Sequence, residues 1–142
     1  MSAFTPIHSL FEKELGSEVF ERRYGDWKEQ YADYLGQIST SDPAVKVYVV
    51  EDAGALVAFF FTIMDFERKI GQIGLNAVDP ARQGQGIGKT MYEFALKDLK
   101  KRGAEIAYVG TGGDAAHAPA RAAYQAVGLD KVTPSIHFFR KL

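Results

Sequence analysis

The stretch RQGQGIGKT, Arg82 to Thr90, alternates three glycines ahead of a lysine and a threonine. Glycine lets a backbone approach phosphate oxygens with no Cβ in the way, and a helix N-terminus adds free N–H groups, so this composition suits an anion. Counting separates the two well-known phosphate loops. A nucleoside-triphosphate loop needs a glycine five places before Gly88, where Gln83 stands, and Gly84 encloses three residues instead of four. A dinucleotide fingerprint reads G-x-G-x-x-G, with an acidic residue about 20 positions on. Here Gly84, Gly86 and Gly88 follow G-x-G-x-G, and Glu105 opens its strand. Both nucleotide readings are disfavoured. Two further side chains carry chemistry downstream. Tyr124 offers a phenol, although Ala120, Ala123, Tyr124 and Val127 form one apolar helical stripe that packing alone would explain. His117 stands in the loop GTGGDAAHA, where it is either a solvated side chain or a contact to a ligand.

The elements that must hold these residues follow from periodicity. From Ile7 to Ile38 the apolar spacing is helical with a break near Gly25-Asp26, which predicts two helices. Val45 to Glu51 and Ala55 to Asp65 are rich in β-branched and aromatic residues around the turn EDAGA, a hairpin. Lys69 to Val78 is a third strand, stopped by Asp79-Pro80. Gly86 to Arg102 reads as a helix with Ile87, Met91, Phe94, Ala95 and Leu99 on one face, basic residues at its negative end and Gly103 as its stop. Ala104 to Val109 is a short strand, Pro119 suits the first turn of a helix closed by Gly128, and Ile136 to Lys141 alternates as a last strand. The glycine loop therefore lies between a strand end and a helix start. Five residues, DPARQ, separate Val78 from Gly84, a proline turn that neither nucleotide loop has. That spacing suits a ligand whose diphosphate rests on the helix while its tail runs back along the strand.

Composition bounds the class. A chain of 142 residues with 46% hydrophobic content is expected to form one domain, 1–142, around a single core. It has no cysteine, hence no disulfide framework, thiolate metal site or cysteine nucleophile, and the expected compartment is the cytoplasm. The N-terminus lacks the pattern of a signal peptide, and the longest apolar run, Ala55 to Phe61, is too short to span a bilayer, so no membrane partner is expected. A net charge of −1 argues against nucleic acid. The charge is uneven: residues 1–42 net −4, residues 43–80 net −2 and residues 81–142 net +5. The basic third holds the glycine loop, as an anionic ligand would favour. In the acidic third, Glu18, Glu21, Asp26, Glu29 and Asp33 accompany Tyr24, Trp27, Tyr31 and Tyr34, an expected capture surface for cationic acceptors, or a solvated face over a core.

With its context drawn, the loop resembles the signature [RQ]-x-x-G-x-[GA] of the GNAT family of N-acetyltransferases, met by Gln83, Gly86 and Gly88 after a strand ending NAVDP. HAPARAAYQAVGL is similar to the family's later motif, a tyrosine four residues before a glycine with an apolar residue following: Tyr124, Gly128, Leu129. The resemblance covers roughly residues 45 to 142. It implies an α/β (α+β) fold with a mixed, mainly antiparallel sheet, helices on both faces and a splay at the cofactor site. It implies acetyl-coenzyme A (acetyl-CoA) as co-substrate, with no metal. Its diphosphate would rest on the amides of Gln83, Gly84, Gln85, Gly86, Ile87, Gly88 and Lys89. Its pantetheine arm would pair with the strand ending at Val78, and amides near Ala77 and Val78 would polarise the thioester. His117 would contact the cofactor, and Tyr124 would both touch it and protonate the leaving thiolate.

The implied reaction is direct attack by a primary amine of a small molecule or peptide, and the resemblance allows a homodimer. The alternative is a CoA-binding sensor of the same fold without catalysis. Several positions depart from the family pattern. His117 stands where an asparagine is frequent, seven residues before the tyrosine, and Gln72 stands where many members carry a glutamate base. Asn76, on the same face as Gln72 by strand alternation, cannot take a proton either. The base is thus left among Asp65, Glu67, His117 and water. The family's usual first strand has no counterpart beyond FTPIH, broken by Pro6, so the sheet either lacks it or takes it from a neighbouring subunit.

Overall fold

The computed structural model describes residues 2–38 and 40–142. The N-terminal region contains three helices: α1 (Thr5–Leu15), α2 (Ser17–Tyr24) and α3 (Trp27–Gly36), preceded by a 3-10 turn at Ser2–Phe4. The two expected helices are three because Gly16, at φ 79°, ends α1 and starts α2, a break inside a run whose apolar period continues across it. FTPIH lies in that first turn and helix, and forms no strand.

Strands β1 (Val45–Asp52) and β2 (Ala55–Asp65) form the expected hairpin, turned at Ala53 and Gly54, both with positive φ as a tight two-residue turn requires. β3 (Ile70–Val78) pairs antiparallel with β2, and β4 (Ile106–Val109) pairs parallel with β3, so the sheet runs β1-β2-β3-β4 and is mixed but mainly antiparallel. Between β3 and β4 stands α4 (Ile87–Lys101); α5 (Ala118–Ala126) follows β4. Arg102 caps α4 and fastens it to the sheet, donating to Thr62 Oγ1 at 3.0 Å and to the Ala44 carbonyl at 2.6 Å. The residue pattern Ile136 to Lys141 forms no strand. None of the four strands pairs with it, and residues 129–142 instead run without regular structure. Phe138 is 87% exposed, and Lys141 Nζ reaches Glu18 Oε2 at 2.5 Å beside the α1–α2 junction.

Helices cover both sheet faces. Met91, Tyr92, Ala95 and Leu99 of α4 and Tyr124 of α5 bury against Ala58, Phe60, Met64 and Ile73. Phe94, expected on that same face, is half exposed and touches Tyr48 and Phe60 edge-on. On the other face Phe4, Phe20 and Trp27 form a second cluster with Phe59, Leu75 and Ala77 of the sheet. The two clusters draw on β3 out of simple alternation, and a bulge is the reason. Phe60 pairs with Asn76 but Thr62 with Ile73, so Gly74 and Leu75 together face Phe61. A Cβ at Gly74 would fall on the Phe61 ring, which is why glycine stands there. The extra residue reverses the side-chain alternation. Asn76, opposite Phe60, joins the α4 face, while Gln72, opposite Ile63, lies on the α3 face. The two amides expected on one face are on opposite faces.

His8, on α1, sits inside the second cluster. It is 6% exposed, stacked on Trp27 at 4.1 Å, edge-on to Phe11, Phe20 and Tyr31, and neither ring nitrogen has a hydrogen-bond partner among the described residues. Burial, and then the charge of nearby His117, lower its pKa below 6.5. The folded state thus holds His8 neutral, and the unfolded chain takes up the proton first as pH falls. Its contribution to stability is full above about pH 6.5 and is lost below it, by at most about 1.4 kcal/mol per pH unit. Thermal melts near neutral pH and about two units lower should show a steeper loss for the native chain than for His8→Phe; parallel slopes would remove His8 from the acid response.

Candidate active site

The glycine loop is built from the strand end outward. Asp79 Oδ1 accepts the Ala81 N–H at 3.0 Å, winding Pro80–Arg82 into a 3-10 turn, and Gln83 Nε2 donates back to the Val78 carbonyl at 3.2 Å. Gly84 and Gly86 then take φ values of 76° and 82°, the left-handed region that glycine enters without penalty. Gly86 is the N-cap of α4 and offers no side chain to it. The Thr90 N–H reaches the Gly86 carbonyl at 3.1 Å, while those of Ile87, Gly88 and Lys89 precede the first helical bond and face outward. A Cβ at Gly84 or Gly86 would meet nothing within 4 Å, so the loop borders open space. Arg82 pairs with Asp52, and Lys89 lies 3.9 Å from Glu93.

The open space is a splay in the sheet. Parallel pairing joins Ile70–Ile73 to Ile106–Val109 and stops, yet β3 runs on to Val78 with no strand beside it on that edge among the described residues. Asp79 N–H donates to the Val57 carbonyl at 2.8 Å, and ladder alternation then directs Ala77 toward β2 and the N–H groups of Asn76 and Val78 toward the free edge. Of the two expected polarising amides, Val78 therefore faces the edge and Ala77 does not. A cleft of about 680 Å³ opens along this edge, lined by Ala77, Val78, Gln83, Gly84, Gly86, Ile87, Gly88, Lys89, His117 and Tyr124. Gln85, expected among them, does not line it.

Tyr124 is 6% exposed and belongs both to the apolar stripe of α5 and to the cleft wall, so its two readings coexist. Its hydroxyl is the end of a chain that periodicity did not reveal. Asn76 Nδ2 donates to the Gly74 carbonyl at 3.0 Å and to Tyr124 Oη at 3.3 Å, and Tyr92 Oη donates to Asn76 Oδ1 at 2.8 Å. A carbonyl only accepts, so Gly74 fixes which end of the Asn76 amide carries hydrogen. Tyr124 oxygen accepts from Asn76, which leaves the phenol's own hydrogen for the cleft. Burial foremost, with Tyr124 beside it, raises the Tyr92 pKa and keeps that hydroxyl a donor. The signal for Tyr92 was present as a polar-tipped residue four positions after Gly88 on the buried helix face, but its partner depends on the β3 bulge.

His117 is held by Asp114. Its Nδ1 lies 2.6 Å from Asp114 Oδ2, and its N–H donates to Oδ1 at 3.2 Å. Gly112 makes room, since a Cβ there would fall on both side chains, and Arg121 ties the loop by donating to the Gly112 and Asp114 carbonyls at 2.7 Å each. Burial would raise the Asp114 pKa, but the hydrogen bonds and charge of His117 outweigh it and hold the carboxyl below its usual range. An ionised carboxylate only accepts, so Nδ1 carries hydrogen, and in the neutral ring Nε2 is the nitrogen free to accept. Of the other base candidates, Asp65 accepts the Arg68 N–H at 2.8 Å in the β2–β3 turn, and neither it nor Glu67 lines the cleft. The acidic capture surface does not form there either: none of Glu18, Glu21, Asp26, Glu29 and Asp33 lines the cleft, because the helices turn Trp27 and Tyr24 into the core and leave the carboxylates on the outer faces. Tyr31 and Tyr34 do line it.

This architecture has counterparts. A mycothiol acetyltransferase of Saccharomonospora viridis is 34% identical over 71 residues, half of this chain and 22% of that protein. The chain spans well under half the length of the curated relatives it matches. Among solved structures, an IAA acetyltransferase of Bacillus cereus aligns with a TM-score of 0.56 at 27% identity, over 70% of this chain and 60% of that one. An acetyltransferase of Bacillus subtilis in complex with CoA aligns with the same TM-score at 24% identity, over 71% and 60%. The family model for acetyltransferases of the GNAT type matches residues 6–129, taking in the helices, the sheet and both motifs, and the chain belongs to that family.

Proposed function

We propose that this protein transfers the acetyl group of acetyl-CoA to a primary amine by direct attack. One observation carries the reading: the outward N–H groups at the start of α4, the unpaired edge of β3 and the Tyr124 hydroxyl all border one cleft. The residues fit the co-substrate, because the loop offers uncapped N–H groups where a Cβ would meet only open space. Acetyl-CoA supplies the activated acetyl thioester. The amides of Gly84 and of Gly86 to Lys89 hold the diphosphate, aided by the helix dipole, and the edge at Asn76 and Val78 pairs with the pantetheine arm. Val78 N–H stabilises the negative charge that develops on the carbonyl oxygen as the amine nitrogen bonds to carbon. The carbon–sulfur bond then breaks, and Tyr124 donates its hydrogen to sulfur. His117 Nε2 takes the proton that the amine loses, directly or through water; no carboxylate lines the cleft among the described residues. CoA in the similar Bacillus subtilis structure supports the choice of co-substrate.

Incubation with acetyl-CoA and a mixed panel of primary amines should release free thiol and yield products heavier by one acetyl group, read by mass spectrometry. Tight acetyl-CoA binding with no thiol release beyond hydrolysis would overturn the reading.

A further inference from the structure

The lysine and arginine of the cleft stand at one end only. Arg82 and Lys89 stand beside the loop; on the other side of Val78, back along β3, the lining is Phe4, Ile7, Tyr31, Tyr34 and Leu75, with Phe4, Ile7 and Tyr31 sharing one cluster with Leu75 and Ala77. Apart from His117, that far end has no cationic or acidic side chain among the described residues that line the cleft. Its aromatic walls are ordered. Phe4 stacks on Tyr31 at 4.7 Å, and Tyr34 leans on Phe61 at 6.0 Å. If the loop end takes the diphosphate, the far end meets the acceptor.

We infer that the acceptor is a primary amine on a single apolar, ring-bearing body with no second charge; this rests on the acetyl-transfer reading above. An amine acceptor must shed its one positive charge before attack, which leaves a neutral molecule beside aromatic faces. A polyamine or aminoglycoside retains further cations. Those would be taken from water into a wall with no carboxylate to pair them, with Arg82 and Lys89 repelling from the other end. An acceptor carrying its own carboxylate would likewise leave that charge unpaired among Phe4, Ile7 and Leu75.

The test compares kcat/KM for phenethylamine, spermidine and aspartate at saturating acetyl-CoA, in the native chain and in Tyr34→Glu. Tyr34 is 42% exposed at the end of α3, so a carboxylate there is tolerated by the fold and enters the cleft mouth. The expected result is a preference of at least about 100-fold for phenethylamine over both others, the equivalent of two decades of discrimination from an unpaired charge. Tyr34→Glu should shrink the margin over spermidine at least tenfold, a ratio that a general loss of folded protein does not alter. Preference for spermidine or aspartate, or a ratio unmoved by Tyr34→Glu, would overturn the inference while leaving acetyl transfer intact. Bound acetyl-CoA with no product from any of the wider amine panel would overturn acetyl transfer itself, and the acceptor assignment with it.

Discussion

Gly86→Val is expected to weaken acetyl-CoA binding by at least about 100-fold while the protein stays folded. Two costs coincide at this position. The backbone holds φ 82°, where a non-glycine residue loses about 1–2 kcal/mol and a β-branched one fares worse. A Cβ there meets no protein atom within 4 Å, so the side chain grows into space that belongs to the cleft and to whatever anion the α4 amides hold. The backbone cost lowers the melting temperature by several degrees. The occupied space excludes the ligand. Gly86→Ala, with the same φ and a smaller group, should fall between the two. Calorimetric titration of each folded variant with acetyl-CoA decides the matter, and native affinity in Gly86→Val would refute the placement of the diphosphate.

For Tyr124→Phe, turnover should fall by about 10² or more with acetyl-CoA affinity within a few-fold of native, because a proton donor acts on the transition state and the ring contacts are kept. The network allows this variant to be interpreted cleanly. Asn76 Nδ2 retains the Gly74 carbonyl and Tyr92 retains Asn76 Oδ1, so no buried polar group is left without a partner and stability should change by less than about 1 kcal/mol. The 4.7 Å packing of Tyr92 on the Tyr124 ring persists as well. Steady-state kinetics and a melting curve on the same preparation separate the roles. Equal turnover would leave Tyr124 as core alone and would return the departing thiolate's proton to water.

What the amino-acid order determined by itself is everything set by neighbours along the chain. The hairpin bounds Ala55 to Asp65 followed from β-branched density and a two-residue turn, and α4 between Gly86 and Gly103 followed from its period and stops. The glycine loop between strand and helix was legible for the same reason: Pro80, Gly84 and Gly86 act through their own φ angles. Nine of the ten expected residues that line the cleft come from that one loop, the strand before it and the helix stripe ending at Val127; the tenth, His117, comes from the turn before α5. The tertiary structure decided what depends on a partner far away in sequence. The Phe61 ring under Gly74 inserts a residue into β3, and that single register shift carries Asn76 across the sheet to meet Tyr92 and Tyr124. Alternation read along β3 could not anticipate it, since the cause lies on β2. The Ile136 to Lys141 pattern has strand periodicity but no paired edge opposite it. The carboxylates of the first three helices are acidic in sequence and absent from the cleft, because packing of Trp27 around His8 sets which way each helix turns. Local preference chooses the element; the register and rotation that aim its side chains come from burial against other elements, and at this site those are what join a phenol, an amide and an open strand edge.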